Sequence, residues 1–462
     1  MRHRILSLNT YPELNALGMF LMVIILDLIL PTADVSAQVP NYCGFTSNQT
    51  SSGDSITFRP VLSGPEATPV VTSHFKVHYT LQGTDASTTV WADSVSVYAE
   101  HARSVLSTSG WMMPPSDGGF GGDNLYVIYI MDKPGGNWGL TQADSIFGNR
   151  SGRGIGTQSF ISIHRDSIER PFPKFIQLRA AVAHEYTHAC QLAFREVRGR
   201  EANTDSQGWF MEASATCMER YVWPGDTTFG FRFTTGRDPL HIPDLRVDCA
   251  LDQYPYAGFL WPRFLIEYYG TTAHLDLWSR IRSASNWRTL DITDSFLRET
   301  YGDSLEGALS QYGIWRFFTG SRADAYHFSI GSLLPTSYVR ARRSAYPARG
   351  EAYPQDLYPA TKGGVSYVVF RSGSGSMPIT FDAEGTYHWS VTAVGCRSGN
   401  PPTESVMTLD PENKGTISVD WSGKDSVALV SVATAWNTDD GRNYTFTTEL
   451  ISSPVTINLS NA

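Results

Sequence analysis

From His74 the chain alternates polar and apolar residues (His74-Phe75-Lys76-Val77-His78-Tyr79-Thr80), the two-residue period of a strand with one buried face. Thr88 to Ser109 shifts to helical spacing, with Val90, Ser94, Val97, Ala102 and Val105 marking one face. Leu125 to Met131 is rich in β-branched and aromatic residues and reads as a second strand. A glycine-rich loop follows, containing Gly135-Gly136-Asn137 and a run from Gly148 to Gly156 that together form a candidate rim. Then come the strand Ser159 to His164 and a long helix, Lys174 to Val197, with no Gly or Pro inside it. Strand, helix, strand, strand, helix describes an α+β unit: a small mixed sheet beside a central helix.

Beyond Trp209 the spacing is mostly helical, over Trp209–Val222, Ala257–Tyr269, Leu275–Ser283, Ile292–Tyr301 and Leu305–Phe318. Pro335 to Pro359 sets Arg340, Arg342, Arg343 and Arg349 among Pro, Ala and Ser, which reads as a solvated linker. After Gly363 the pattern becomes short runs divided by turn residues: Val365–Arg371, Ile379–Phe381, Tyr387–Val394, Thr416–Trp421, Val427–Thr434 and Tyr444–Leu450. That is the pattern of an all-β sandwich. The expected boundaries are 71–334 for the α+β unit with its helical subdomain, 335–362 for the linker and 363–462 for the sandwich.

The N-terminal pattern differs from both. Leu17 to Leu30 is apolar, follows Arg2 and Arg4, and precedes Val35-Ser36-Ala37, a small-residue cleavage pattern, so residues 1–37 read as a signal peptide cut after Ala37. Asp27 interrupts the run, and an uncleaved anchor is the alternative. Residues 38–70, rich in Ser, Thr, Gly and Pro, read as an extended lead-in. A secreted, extracellular, periplasmic or cell-surface location follows, with no stable membrane span once the signal is removed. The net charge of −9, with no run of lysines, argues against a nucleic-acid partner. Five cysteines (Cys43, Cys190, Cys217, Cys249, Cys396) show no metal or redox spacing, and an exported chain is expected to pair some of them, Cys190 with Cys217 or Cys217 with Cys249 most economically.

One constellation carries chemistry. The long helix contains Ala183-His184-Glu185-Tyr186-Thr187-His188-Ala189. Histidines at i and i+4 lie on one helix face and can converge on one ion, with Glu185 placed to act on a metal-bound water. With 11 His in 462 residues, chance gives about 0.01 copies of H-E-x-x-H in such a chain. The flanking Ala180–Ala183 and Leu192–Phe194 are apolar, and a His-Glu-His set buried among them is costly unless paired or bound to metal. A solvent-facing helix is the competing interpretation. Catalytic zinc takes three protein ligands and keeps one position open. No third His follows at metzincin spacing, so a glutamate on a later helix is required. Glu212, in the apolar run Trp209-Phe210-Met211-Glu212-Ala213-Ser214-Ala215, is the best candidate, against a structural glutamate paired with an arginine such as Arg220. Glu219 is the reserve, and Asp205 and His241 trail.

At these residues the sequence resembles the gluzincin zinc metallopeptidases, in which a second helix supplies the third ligand. The wider stretch from His74 through Trp209-Phe210-Met211-Glu212, Tyr254-Pro255-Tyr256-Ala257-Gly258 and Glu267-Tyr268-Tyr269-Gly270 looks like a group of secreted bacterial metalloproteases, over about residues 70 to 320. The resemblance implies a zincin-like catalytic domain, one zinc per chain on His184, His188 and Glu212, Glu185 as general base, and an oxyanion donor at Tyr254 or Tyr256, with Tyr256 favoured. It also implies that Ser159–His164 is an edge strand along which an extended peptide adds, with His164 facing either the cleft or the strand's surroundings. Thermolysin-like members carry an aspartate four residues after the ligand glutamate to orient a histidine; Thr216 stands there in this chain. The expected function is a secreted zinc endopeptidase acting on protein or peptide, with the sandwich contacting substrate or cell surface. The alternatives are an inactive zincin-like adhesive protein and a zinc amidase acting on cell-wall material.

Overall fold

The computed structural model describes residues 59–115, 122–133, 138–143, 158–165, 173–194, 205–250, 253–284, 288–352, 362–383, 388–436 and 443–449. The signal peptide, the lead-in up to residue 58, Cys43 and the candidate rim at 135–137 and 148–156 lie outside them.

The chain is of the α+β class. Its first sheet has the order β1-β2-β3-β5-β4, from Val70–Val71, Phe75–His78, Tyr126–Met131, Gly139–Ala143 and Ser159–His164. β2, β3 and β5 run parallel, while β1 and β4 are antiparallel to their neighbours. Ser159–His164 is therefore interior, paired on both sides, and among the described residues the strand at that edge of the sheet is Gly139–Ala143. That strand lies inside the stretch expected as a glycine-rich loop. Its sequence, Gly-Leu-Thr-Gln-Ala, is too short and too poor in β-branched residues to signal a strand.

Helix α1 (Thr89–Thr108) starts where the Thr88 hydroxyl accepts from the Trp91 N–H, an N-cap that satisfies one orphan donor. It packs on the sheet through Trp91, Val95, Ala99, Ala102 and Leu106. Val90 and Val97, expected on the buried face, are 63% and 62% exposed. The i, i+3/i+4 rows holding Trp91 bury more area than the valine row, so the helix turns that way. Helix α2 (Lys174–Phe194) is buried on every side from Ala180 to Phe194, the mark of a central helix. Helix α3 (Asp205–Val222) packs directly against it. Further on come a short 3-10 turn (Thr228–Phe233) and α4 (Tyr254–Ala257), α5 (Leu260–Tyr269), α6 (Ala273–Ser283), α7 (Thr289–Tyr301) and α8 (Leu305–Phe317). Among the described residues no helix is long and apolar enough to cross a membrane.

The C-terminal strands form two facing sheets, β11-β10-β13-β8-β6 and β12-β9-β14-β7. Their strands are β6 (Ala341–Arg343), β7 (Ala348–Ala352), β8 (Val365–Arg371), β9 (Ser376–Ala383), β10 (Trp389–Cys396), β11 (Thr403–Val406), β12 (Lys414–Asp420), β13 (Ser426–Ala433) and β14 (Tyr444–Thr448). Phe370, Ile379, Phe381, Val391, Leu429 and Phe446 fill the space between the sheets. β6 and β7 fall in the expected solvated linker, and their backbones pair with β8 and β14. Backbone pairing is indifferent to the Pro, Ala and Arg composition that suggested a linker.

The first of these sheets is buried on its other face too. Val365, Tyr367, Val430 and Val432 join the core of the helical part, and the Tyr367 hydroxyl donates to the Gly313 carbonyl on α8 at 2.6 Å. The buried Arg316 guanidinium donates to the carbonyls of Pro239, Pro243 and Gly363, tying loop, helix and sheet together. Cys190 and Cys217 are free buried thiols, so neither expected bridge forms. Burial in apolar surroundings pushes both thiol pKa values up, leaving them inert.

Candidate metal centre

Three side chains from α2 and α3 meet in the buried core. His184 Nε2 lies 3.0 Å from Glu212 Oε2 and 3.1 Å from His188 Nε2, and His188 Nε2 lies 3.4 Å from Glu212 Oε2. Four helical residues separate the histidines, which sets their rings 4.7 Å apart on one face. All three residues are buried.

The outer ring nitrogens decide what the inner ones can be. His184 Nδ1 is 2.8 Å from Glu219 Oε1, and His188 Nδ1 is 2.8 Å from Gln191 Oε1. Gln191 is fixed in turn, its Nε2 donating to the Met211 carbonyl at 3.0 Å. Facing acceptors, both Nδ1 atoms carry protons, so in the neutral imidazoles both Nε2 atoms are acceptors. Two lone pairs and a carboxylate oxygen then point at one another, an arrangement that is repulsive unless a proton or a metal ion sits among them. Burial lowers an imidazole pKa, but Glu212 and Glu219 more than reverse this and hold His184 up at about 10. Burial likewise opposes ionisation of Glu212, and the two histidines outweigh it, holding its carboxyl well below the usual range. The pocket demands positive charge.

Zinc meets that demand geometrically. Zn–N and Zn–O bonds of about 2.0–2.2 Å in tetrahedral geometry put neighbouring ligand atoms about 3.3 Å apart, and the three separations here are 3.0, 3.1 and 3.4 Å. The donor set of two imidazoles and one carboxylate also suits zinc.

Glu185 stands beside this group and is not part of it. One oxygen, Oε2, accepts from the Thr141 hydroxyl on β4 at 2.7 Å. The other, Oε1, is buried with no hydrogen-bond partner. A Cβ at Gly139 would fall 2.4 Å from Glu185 Cγ and 2.8 Å from Oε1, so only glycine leaves room for the carboxylate against the edge strand. Lys133 is close enough that Glu185 opposes the burial that lowers its ammonium to about 8.

The other expected residues divide clearly. Glu219 is not in the converging group; it sits behind His184, and no ligand role falls to it. Arg220 bonds the Asp226 carbonyl and leaves Glu212 alone. The Tyr256 ring stacks 6.0 Å from that of His184, and the Arg232 guanidinium lies 4.6 Å over the same tyrosine ring. Tyr254 turns away, its hydroxyl donating to the Leu245 carbonyl. His241 bonds Asp238 and is half exposed, and His164 lies 3.8 Å from Asp132; neither joins the group. The side chain of Asp205 lies outside the described residues. Gly139, Thr141, Gln191 and Arg232 are the site residues that sequence reasoning passes over. Of these only Gln191 carried a signal, at i+3 from His188 on the same helix face.

No family model matches this chain, and no curated protein matches it. Among solved structures, the pre-peptidase C-terminal domain of collagenase from Bacillus anthracis is similar over 25% of this chain and 100% of its own, at 9% identity and a TM-score of 0.19.

Proposed function

We propose that the chain is a secreted zinc-dependent endopeptidase with a zincin-like catalytic core. The observation that carries this is the convergence of three buried acceptors beside a carboxylate that has one oxygen pinned and the other without a partner. Secretion rests on the N-terminal pattern alone.

His184, His188 and Glu212 would hold the ion, which when bound supplies Lewis-acid activation of a water and of the scissile carbonyl. Thr141 fixes Glu185 so that Oε1 takes the water's proton and then delivers it to the leaving nitrogen. The free side of the edge strand Gly139–Ala143 offers main-chain groups to an extended peptide. Tyr256, beside His184, is the proposed oxyanion donor, and Tyr254 is not, because its hydroxyl is engaged elsewhere. Gln191 and Glu219 hold the imidazoles in one tautomer each.

The test is metal analysis together with cleavage of unfolded protein by the exported chain. About one zinc per chain is expected, with turnover lost on chelation and in Glu185→Ala while that variant keeps its zinc. Hydrolysis by Glu185→Ala at the wild-type rate removes the proposed base. Zinc without cleavage of any protein, but with release of amide-linked cell-wall fragments, replaces endopeptidase by amidase.

A further inference from the structure

Away from the metal centre, a cleft of about 470 Å³ runs between the helical part and the first sheet of the sandwich. Its walls include Tyr268 of α5, Gln311 and Trp315 of α8, Tyr326, and Glu404 of β11. Among the described residues, three tyrosines stand out as exposed large side chains, and two of them, Tyr268 at 42% and Tyr326 at 53%, line this cleft. Tyr268 is braced in place, stacked 5.1 Å from Phe264 and edge-on to Trp315 at 5.9 Å. An aromatic surface held rigid and left open marks a binding site more than a packing defect.

The charge of the cleft is one-sided. Glu267, Glu404 and His327 line it, His327 being engaged by Asp324 at 2.8 Å, and among the described residues no lysine or arginine does. Glu267 is balanced from outside the lining by Arg263 at 2.6 Å. Among the described residues Glu404 has only the Gln311 amide, donating at 3.0 Å. Burial, with Asp303 and Glu404 adding to it, pushes the Tyr268 hydroxyl pKa upward. Tyrosine faces beside an unneutralised carboxylate suit an ammonium or guanidinium.

The shape of the rim selects the carrier of that cation. Glu404 belongs to β11, an edge strand paired only with β10 and exposed along all its residues, with Val406 at 70%. Pro401 and Pro402 lead into it and close one wall of the cleft. An edge strand with a free row of N–H and C=O groups takes a further strand.

We infer that this cleft is a docking site for an extended basic peptide segment, which lies along β11 and places a lysine or arginine side chain between Tyr268 and Tyr326 beside Glu404. The inference does not depend on the peptidase reading, since it uses no residue of the metal centre.

The experiment measures fluorescence anisotropy of a short labelled peptide of alternating Thr and Val with one central Arg, and of its Gln counterpart. The protein is the full exported chain carrying Glu185→Ala, so that bound peptide is not cut. The Arg peptide should bind at least about tenfold more tightly than the Gln peptide. Tyr326→Ala and Glu404→Gln should each remove most of that preference, a loss of about three- to tenfold for one cation–π or charge contact. Far-UV circular dichroism reports whether these surface variants fold. Equal affinity for the two peptides overturns the inference, as does an Arg preference that survives both substitutions. Free arginine or tetramethylammonium binding as tightly as the peptide also overturns it, by making a small cation the occupant.

Discussion

Replacing Gly139 by alanine tests the proposed base separately from the proposed metal site. The new Cβ would sit 2.4 Å from Glu185 Cγ, 2.8 Å from Oε1 and 2.9 Å from Cδ. Ordinary carbon contacts lie at about 3.5–4.0 Å, so something must withdraw by about 1 Å. β4 is held by its ladder to β5 over five residue pairs, whereas Glu185 is held on this side by one hydroxyl, Thr141. The carboxylate therefore yields, and the Thr141 bond breaks. A displacement of about 1 Å at a reacting group costs about a hundredfold in rate, or about 2.7 kcal/mol of barrier. The three atoms nearest the new methyl group all belong to Glu185. The expected result for Gly139→Ala is full zinc content by atomic emission, unchanged KM and a kcat about a hundredfold lower on a quenched fluorogenic protein substrate. Wild-type kcat at full zinc content would refute the placement of Glu185 against the edge strand. Loss of zinc would refute the assumption that β4 serves only the base.

Removing the carboxylate behind His184 should loosen the ion without abolishing the site: Glu219→Gln is expected to weaken zinc binding by about 10- to 100-fold in chelator competition, and Glu212→Ala by far more, and the reverse order would exchange their roles. In zinc-free protein the folded His184 value near 10 lies above the ordinary 6.5, so protonated His184 contributes stability fully below pH 6.5 and loses it as pH rises through 10. The Tm of chelated protein should accordingly fall across that window, with zinc flattening the profile; a zinc-free Tm that climbs there contradicts the paired-carboxylate environment. Gly313→Ala would put a methyl 2.6 Å from Val432 Cγ2, and overpacking of this kind costs about 1–3 kcal/mol, so the midpoint of urea unfolding should drop. An unchanged midpoint means that α8 and the sandwich sheet do not pack as closely as described.

What the sequence revealed and what it hid follow from the range of the interactions. The H-E-x-x-H pair and Glu212 were legible because helical periodicity alone brings the histidines together, and because an isolated carboxylate in an apolar run needs a partner. The edge strand was hidden because Gly139–Ala143 is a strand only by pairing with β5, and Thr141 matters only because that pairing sets it over Glu185. On α1 the spacing was right and the face only partly so, with Ala102 buried but Val90 and Val97 exposed: two helical rows compete, and the one with Trp91 wins only once the sheet is there to bury it. The run Val365–Phe370, apolar except at Ser366, carried a message that strand alternation obscured. A strand apolar at nearly every position is buried on both faces, which is how β8 comes to serve the sandwich core and the helical core together.

Behind His184 stands Glu219, whose place on α3 ties the converging group to its surroundings. Four residues after Glu212 stands Thr216, whose buried hydroxyl has no partner and reaches no imidazole. Seven residues after Glu212, two turns along the same face, Glu219 occupies the position behind His184. Its carboxylate also meets Arg232 at 3.5 Å, and that arginine lies over the Tyr256 ring. A single buried cation thus links the group that orients a metal ligand to the proposed oxyanion donor. Orientation of His184 and placement of Tyr256 are consequently not independent in this chain, and a substitution at Glu219 should disturb both the ion and the tyrosine opposite it.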